Sequence, residues 1–258
     1  MLTINAIPAF EDNYIWALTI EGGELAAVVD PGDADPVIEY LDKHGLKLGA
    51  ILITHHHGDH TGGIRELLHH YGELPVYGPA GERIPALTHA LKEDDTVTLE
   101  DLHASFRVID APGHTRGHIL YHGEGLLFCG DTLFAGGCGR LFEGTPEQMY
   151  NSLSKIEALP DSTLVYCAHE YTEANLGFAE IAEPDNQALH QRIAETRRLR
   201  AQGEATVPSL LALEKATNPF LRSHQPELIE AAEGFAGHSL NSPAEVFATV
   251  RHWKDSLD

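Results

Sequence analysis

Cysteine is scarce in this chain, and its three copies form no familiar pattern. Cys129, Cys138 and Cys167 are an odd number, too few for the disulfide framework of a small secreted domain. No two of them are spaced as C-x-x-C, which argues against a structural zinc site built on thiolates. Cys129 and Cys167 end apolar strand candidates, so we expect them to pack in the core. This cysteine content is typical of a reducing compartment.

Positive charge and long apolar runs are also lacking. Lys and Arg total 17 residues against 39 Asp and Glu, a net charge of −22 at pH 7, and such a chain repels nucleic acid and anionic membranes. Apolar runs such as Ala50–Ile53 are far shorter than a membrane span, and the residues after Met1 lack the basic start of a signal peptide. We expect a cytoplasmic protein that binds neither nucleic acid nor membrane. We also expect a monomer.

The remaining composition predicts a globular chain with two regions. Apolar residues make up 43% of the 258 residues, enough for a large α/β domain with an appendage. Strand patterns dominate up to about residue 170, whereas the later segments have helical periodicity and no convincing strand. Residues 1–170 carry 9 basic and 26 acidic side chains, and residues 171–258 carry 8 and 13. We therefore predict domains at 1–170 and 171–258.

Hydrophobic alternation and turn residues predict the elements. Strands are expected at Thr3–Ile7, Tyr14–Ile20, Leu25–Val29, Ala50–Ile53, Val76–Tyr77, Thr96–Leu99, Phe106–Ile109, Ile119–Tyr121, Leu126–Cys129 and Leu164–Cys167. Helices are expected from Asp35 to Gly45 and over Gly63–Tyr71, Pro146–Leu159, Glu173–Ala182, Asn186–Gln202, Pro226–Glu233 and Pro243–Lys254. Two strand-rich halves of this kind favour two sheets packed face to face between helices.

Four of these strands run into residues that commonly bind metals. The ligand types after them are His55, His57, Asp59 and His60 after Ala50–Ile53, His114 after Phe106–Ile109, Asp131 after Leu126–Cys129, and His169 after Leu164–Cys167. A single histidine at a strand end is usually an ordinary polar residue. Four coincidences together instead favour one site at a sheet edge, where the active sites of layered folds gather.

Seven imidazole and carboxylate ligands are too many for one tetrahedral ion. Two ions can share them if a carboxylate and a water bridge the pair, and each ion then keeps coordination space for chemistry. His56 lies between two candidate ligands and is expected to point away from the metals. Gly58 is expected to permit a tight turn. Ligands of this type accept zinc, iron or manganese, of which zinc is our first choice.

The motifs resemble those of a known group of enzymes. The stretch Thr54–His60, with Gly113-His114, Gly130-Asp131 and His169, is similar to the metallo-β-lactamase superfamily. Three further stretches resemble the hydroxyacylglutathione hydrolases (glyoxalase II) within it, and the resemblance covers essentially the whole chain. These stretches are Gly130-Asp131-Thr132-Leu133-Phe134-Ala135-Gly136-Gly137-Cys138-Gly139-Arg140, Ala168-His169-Glu170-Tyr171-Thr172 and Asn218-Pro219-Phe220-Leu221-Arg222.

The resemblance implies a fold, a reaction and roles for the ligands. It implies an αββα sandwich followed by a helical domain, and the hydrolysis of S-D-lactoylglutathione to D-lactate and glutathione, the second step of methylglyoxal detoxification. Hydroxide bridging two divalent metal ions would attack the thioester, with Asp59 and Asp131 as catalytic residues. By matching motifs, His55, His57 and His114 would hold one ion, and Asp59, His60 and His169 the other. Asp131 would bridge them.

The resemblance also implies where glutathione binds. The matching positions are Arg140, Tyr171, Arg251 and Lys254, which would give an anionic thioester a local positive site on an acidic protein. Phe142 stands where other members carry tyrosine, and Arg140 where many carry lysine. We expect these departures to affect substrate affinity rather than activity.

Two other functions fit the same metal framework. Persulfide dioxygenases of the superfamily use one iron ion and oxygen on a glutathione persulfide, but the helical tail with Arg251 and Lys254 favours the hydrolase. A metal-binding protein without catalysis is disfavoured because every ligand position is filled.

Overall fold

A six-stranded mixed sheet begins the fold. The computed structural model describes residues Met1–Leu257, and its first two strands form an antiparallel hairpin. The third strand pairs antiparallel with the second, and the next three join in parallel, as strands linked by long connections do. In sheet order the strands are β1 (Leu2–Ala9), β2 (Asn13–Ile20), β3 (Leu25–Val29), β4 (Lys47–Leu52), β5 (Val76–Pro79) and β6 (His89–Leu91).

Strand β2 is buried on both of its faces. Ile15 and Ala17 belong to the core cluster on the helix side of the sheet, whereas Trp16 and Leu18 lie outside that cluster and are still buried. Because successive side chains of a strand point to opposite faces, both faces of the sheet must be covered.

Four antiparallel strands cover the second face. They are β7 (Thr96–Leu99), β8 (Ala104–Asp110), β9 (Ile119–Gly123) and β10 (Leu126–Gly130), each paired with the next. The buried hydroxyl of Tyr121 in β9 donates a 2.8 Å hydrogen bond to the carbonyl of Ile53, just past β4. The two layers of strands are therefore joined by a polar contact as well as by apolar packing.

Helices cover the outer face of the first sheet. The helix α1 (Asp35–His44) has proline in its first turn and ends at Gly45, whose φ of +66° is the left-handed conformation that glycine adopts at low cost. Both ends agree with the sequence prediction. The short α2 (Gly58–Thr61) and α3 (Ile64–Tyr71) follow β4, and buried residues of α1 and α3 complete the helix-side core.

The chain divides into two compact units. The first contains Met1–Ala111 and Thr115–Gly130, and the second contains Pro112–His114 and the chain from Asp131 onward. The residue ranges of these units differ from those of the predicted domains. The domain boundary near residue 170 stays a prediction.

The second unit is mainly helical. Its helices are α4 (Pro146–Glu157), α5 (Thr172–Ala182), α6 (Gln187–Ala201), α7 (Leu211–Thr217), α8 (Pro226–Ala236) and α9 (Pro243–Asp255). Its short strands are β11 (Leu133–Phe134) with β12 (Gly137–Cys138), and β13 (Leu164–Cys167) with β14 (Ser209–Leu210). A capping box of Thr145 and Gln148 begins α4, which satisfies two backbone donors at its first turn.

The sequence prediction was wrong about the region after residue 169 in one respect, because β14 is a strand. It pairs with β13 through only two residues, and a strand of that length has no periodicity to detect. The short elements β6, β11, β12, α2 and α7 were also missed. Among residues 1–257, no helix combines the length and apolar character required to cross a bilayer.

Candidate metal centre and substrate cavity

In the first unit, the predicted ligands lie in the loop and helical turn after β4. His55 follows the strand, His57 precedes α2, and Asp59 and His60 lie within that helix. The His55 Nε2 and His57 Nδ1 atoms are 3.1 Å apart. Zinc–nitrogen bonds of about 2.0–2.1 Å place neighbouring donors roughly this far apart. The spacing is therefore suited to two ligands of one ion.

A buried carboxylate lies next to His60. Asp30 accepts hydrogen bonds from the backbone N–H of Thr54 (2.8 Å) and from its hydroxyl (2.7 Å). One Asp30 oxygen also lies 3.1 Å from His60 Nδ1, and this contact favours the tautomer that keeps the Nε2 lone pair for a metal. His60 Nε2 lies 3.4 Å from Asp59 Oδ2.

Two neighbours fix the position of Asp59. The Asn13 side-chain amide donates to Asp59 Oδ2 at 3.1 Å. Gly32 lies directly against the Asp59 backbone, where an added Cβ would come within 1.8 Å of the carbonyl oxygen. The expected tight turn at Gly58 is wrong, because this glycine begins α2 with open space around it. The glycine that the loop requires is Gly32, 27 positions before Asp59 in the chain, and no local pattern pointed to it.

In the second unit, Asp131 lies between two predicted histidine ligands. Its Oδ2 atom is 3.4 Å from His114 Nε2, and its Oδ1 atom is 3.4 Å from His169 Nε2. All three side chains are buried. His114 Nδ1 donates to the carbonyl of Arg140 at 2.9 Å, which leaves Nε2 as the nitrogen available for a metal. A carboxylate whose two oxygens face different histidines has the arrangement of a bridging ligand.

A buried polar network holds the hairpin of β11 and β12, which follows Asp131. The Asn218 amide donates to the carbonyls of Phe134 (3.1 Å) and Gly137 (2.9 Å). The Glu214 carboxylate accepts from the Gly136 N–H at 2.9 Å and forms an ion pair with Arg192. Burial raises the pKa of Glu214, but the charge and hydrogen bond of Arg192 together with hydrogen bonds from Ser209 and Gly136 outweigh it, and the net shift is downward. Asn218 lies within one of the sequence motifs. No role was predicted for Glu214 or Arg192.

A cavity of about 540 Å³ lies in the second unit and contains all four predicted glutathione contacts. It is lined by the metal-ligand candidates His114 and Asp131, by the predicted contacts Arg140, Tyr171, Arg251 and Lys254, and by Phe134, Cys138, Phe142, Ala174 and Asn175. Cationic side chains thus share one cavity with two candidate metal ligands.

The two cationic residues of α9 differ from ordinary surface residues. Arg251 is only 2% exposed. Its guanidinium donates to the carbonyl of Cys138 at 3.0 Å and to Asp255 at 2.8 Å, and it lies 5.0 Å from the ring centre of Phe220. Lys254 is 9% exposed. Arg251 therefore anchors α9 to β12 as well as lining the cavity, which the sequence did not indicate.

Aromatic residues border the two histidines of the second unit. The Tyr171 ring stacks on His169, with centroids 4.7 Å apart and planes within 4° of parallel. Phe142 meets His114 edge to face at 5.3 Å and is 65% exposed. The Phe142 ring is thus open to solvent and next to a candidate ligand.

Comparison with known protein families accounts for residues 11–257. Residues 11–169 match the metallo-beta-lactamase superfamily, and residues 170–257 match the family described as hydroxyacylglutathione hydrolase C-terminus. A hydroxyacylglutathione hydrolase of Alkalilimnicola ehrlichii is 57% identical over 255 residues, 99% of both chains. That of Pseudomonas fluorescens is 53% identical over the full length of both. The chain belongs to the hydroxyacylglutathione hydrolase family. It accordingly has the metallo-β-lactamase fold with a C-terminal helical region, as the sequence predicted.

Solved structures agree with this hydroxyacylglutathione hydrolase fold. ETHE1 from Myxococcus xanthus has a TM-score of 0.66 at 23% identity, with 99% of each chain covered. A structure of TTHA1623 in a di-iron-bound form has a TM-score of 0.58 at 25% identity and covers 85% of this chain and all of that one.

The residues present fit divalent metal ions. All seven predicted ligands belong to groups of His and Asp side chains able to hold an ion. The donor set of imidazole and carboxylate, with the two oxygens of Asp131 directed at different histidines, is that of a catalytic rather than a structural site.

Proposed function

We propose that this chain hydrolyses S-D-lactoylglutathione, and related S-2-hydroxyacylglutathiones, to the hydroxy acid and glutathione. Full-length identity of 50–57% to hydroxyacylglutathione hydrolases supports the reaction. The observation that carries the proposal is the cavity in which His114 and Asp131 lie with Arg140, Tyr171 and Lys254. An anionic thioester bound there would have its reacting end near metal ligands and its carboxylates near cations.

Two divalent ions are the proposed cofactors. One ion would be held by His55, His57 and His114, and the other by Asp59, His60 and His169. Asp131 would bind both ions. When bound, such ions lower the pKa of water toward neutrality and stabilise negative charge on a carbonyl oxygen. Zinc is proposed, with iron and manganese as the alternatives that these ligands also accept. The di-iron form of TTHA1623 supports a dinuclear site.

The protein side chains supply orientation. The Asp59 carboxylate is 41% exposed and is held at Oδ2 by Asn13, so it can hold the remaining proton of the attacking hydroxide. The leaving thiolate of glutathione is stable enough to depart without a dedicated acid. No serine or cysteine nucleophile is needed, and burial raises the pKa of the Cys138 thiol in the cavity wall to about 11, which keeps it protonated at neutral pH.

Glutathione recognition is assigned to Arg140, Tyr171, Arg251 and Lys254. Arg140 and Lys254 supply positive charge to the carboxylates, and Tyr171, 37% exposed, offers a hydroxyl. Arg251 acts chiefly by fixing the wall at Cys138, because its guanidinium already donates within the protein. Phe142 removes the hydroxyl found in other members, so we expect weaker substrate affinity.

The setting of the reaction is also a proposal. We infer a cytoplasmic monomer with domains at 1–170 and 171–258. The three cysteines are buried and form no disulfide, which supports a reducing compartment. The adjoining family matches at 11–169 and 170–257 support the domain boundary. Light scattering on the purified protein would give its mass in solution.

Hydrolysis of purified lactoylglutathione, followed by loss of thioester absorbance, tests the function. We expect release of one D-lactate and one glutathione per substrate without oxygen uptake. Oxygen consumption on a glutathione persulfide, with no thioester hydrolysis, would instead identify a persulfide dioxygenase.

A further inference from the structure

Glu82 is a nearly buried carboxylate in the connection between β5 and β6 that no proposed catalytic step uses. Its side chain is only 4% exposed. It accepts hydrogen bonds from the Thr115 hydroxyl, from the Gly117 N–H at 3.0 Å and from His56 Nδ1 at 3.0 Å. A buried carboxylate is costly unless it is fully hydrogen-bonded, and these three donors provide that compensation.

The three donors come from two segments that carry proposed metal ligands. His56 lies between His55 and His57 in the chain, and Thr115 follows His114 directly. Gly117 packs closely against Glu82, since an added Cβ would come within 2.5 Å of the Glu82 Cγ. The Glu82 carboxylate therefore links the segment that contains His56 to the segment that contains Thr115 and Gly117.

We propose that Glu82 is a positioning residue for the metal ligands, acting through His56 and Thr115. By holding the His56 ring on Nδ1, it fixes the backbone from which the two adjacent histidines project, and it keeps the His56 ring away from the ions. Interactions one shell beyond metal ligands typically change metal affinity by about 10–100-fold. The inference rests on the proposed metal centre and deepens it.

Two pairs of variants separate positioning from simple stabilisation. Glu82→Gln keeps the size but removes the charge that three donors share. His56→Leu removes the donor to Glu82, whereas His56→Asn retains a donor at the position of Nδ1. Glu183→Gln is the matched control, because Glu183 is an equally buried carboxylate that pairs with Arg222 in the second unit.

Zinc affinity of the metal-free proteins, measured by competition with a chromophoric chelator, is the deciding measurement, with the melting temperature of each metal-free protein as the stability readout. We expect Glu82→Gln and His56→Leu to bind zinc about 10–100-fold more weakly, and His56→Asn to bind within a few-fold of wild type. Glu183→Gln should lower the melting temperature without changing zinc affinity.

Unchanged zinc affinity in Glu82→Gln would overturn the inference, whatever its melting temperature. A wild-type protein that binds zinc tightly but does not hydrolyse lactoylglutathione would refute the proposed function alone, and the affinity losses would still support the role of Glu82. A wild-type protein that binds no zinc, iron or manganese would refute both.

Discussion

Replacing Lys254 by methionine should raise KM for lactoylglutathione without changing kcat. The side chain lines the cavity and is 9% exposed, and methionine preserves most of its volume while removing the charge. A hydrogen bond to a charged group contributes about 1.5–3 kcal/mol, and roughly 1.4 kcal/mol corresponds to a factor of ten. We therefore expect KM to rise at least tenfold. The glutathione carboxylates lie far from the thioester, so the contact contributes equally to ground and transition states.

Arg251→Ala should behave differently from Lys254→Met although both residues lie on α9. It removes the partner of the buried Cys138 carbonyl and of Asp255. The buried Cys138 carbonyl left without its donor costs about 1–3 kcal/mol, whereas the Asp255 carboxylate, which is 41% exposed, can be hydrated instead. Arg251→Ala should thus lower both stability and substrate affinity, whereas Lys254→Met should lower affinity alone.

Initial-rate kinetics at low and high ionic strength, with urea unfolding of each variant, test this pair. Lys43→Ala, which removes an exposed charge at the end of α1, is the control for net charge. The KM increase of Lys254→Met should shrink at high salt, where the wild-type attraction is itself screened. An unchanged KM at low ionic strength would show that this cavity is not the glutathione site.

Three further predictions follow from the site. Asp131→Asn keeps the side-chain shape but removes the charge between two cations, so it should abolish most activity; two tightly bound ions with near-full turnover would refute the bridging role. Asn13→Ala frees Asp59 Oδ2 and should lower kcat more than it raises KM, with metal content as the control measurement. Burial raises the pKa of Cys138 to about 11 and that of Cys167 to about 12, from 9.0. As the pH rises, these thiols therefore lose their protons in the unfolded chain before they do so in the folded protein, and the free energy of unfolding should fall above pH 9. Cys167→Ala should weaken that fall, measured by urea unfolding at several pH values, and should keep the wild-type metal content.

Local patterns were sufficient for the longer helices and strands and for proposing most of the candidate site. The helix from Asp35 to Gly45 could be predicted because proline and glycine act on their own neighbours. The candidate ligands could be proposed because apolar strands run directly into them, and Arg140 and Tyr171 could be proposed as glutathione contacts because they lie within motifs.

Contacts between distant parts of the chain could not be predicted in this way. Arg251 donates to the carbonyl of Cys138, 113 positions away in the chain. The sequence of its own helix therefore does not indicate that the guanidinium is buried. The sequence around Glu214 does not indicate that its carboxylate accepts a hydrogen bond from Gly136. Glu82 likewise acts only through partners that the fold brings to it.

The dependence of hydrolysis on bound metal shows whether two ions per chain carry out the reaction. Metal-free protein would be titrated with zinc, iron or manganese while metal content and lactoylglutathione hydrolysis are measured on the same samples. We expect no hydrolysis without metal and a maximum at two ions per chain. Full activity in the metal-free protein, or no hydrolysis with two ions bound, would contradict this expectation.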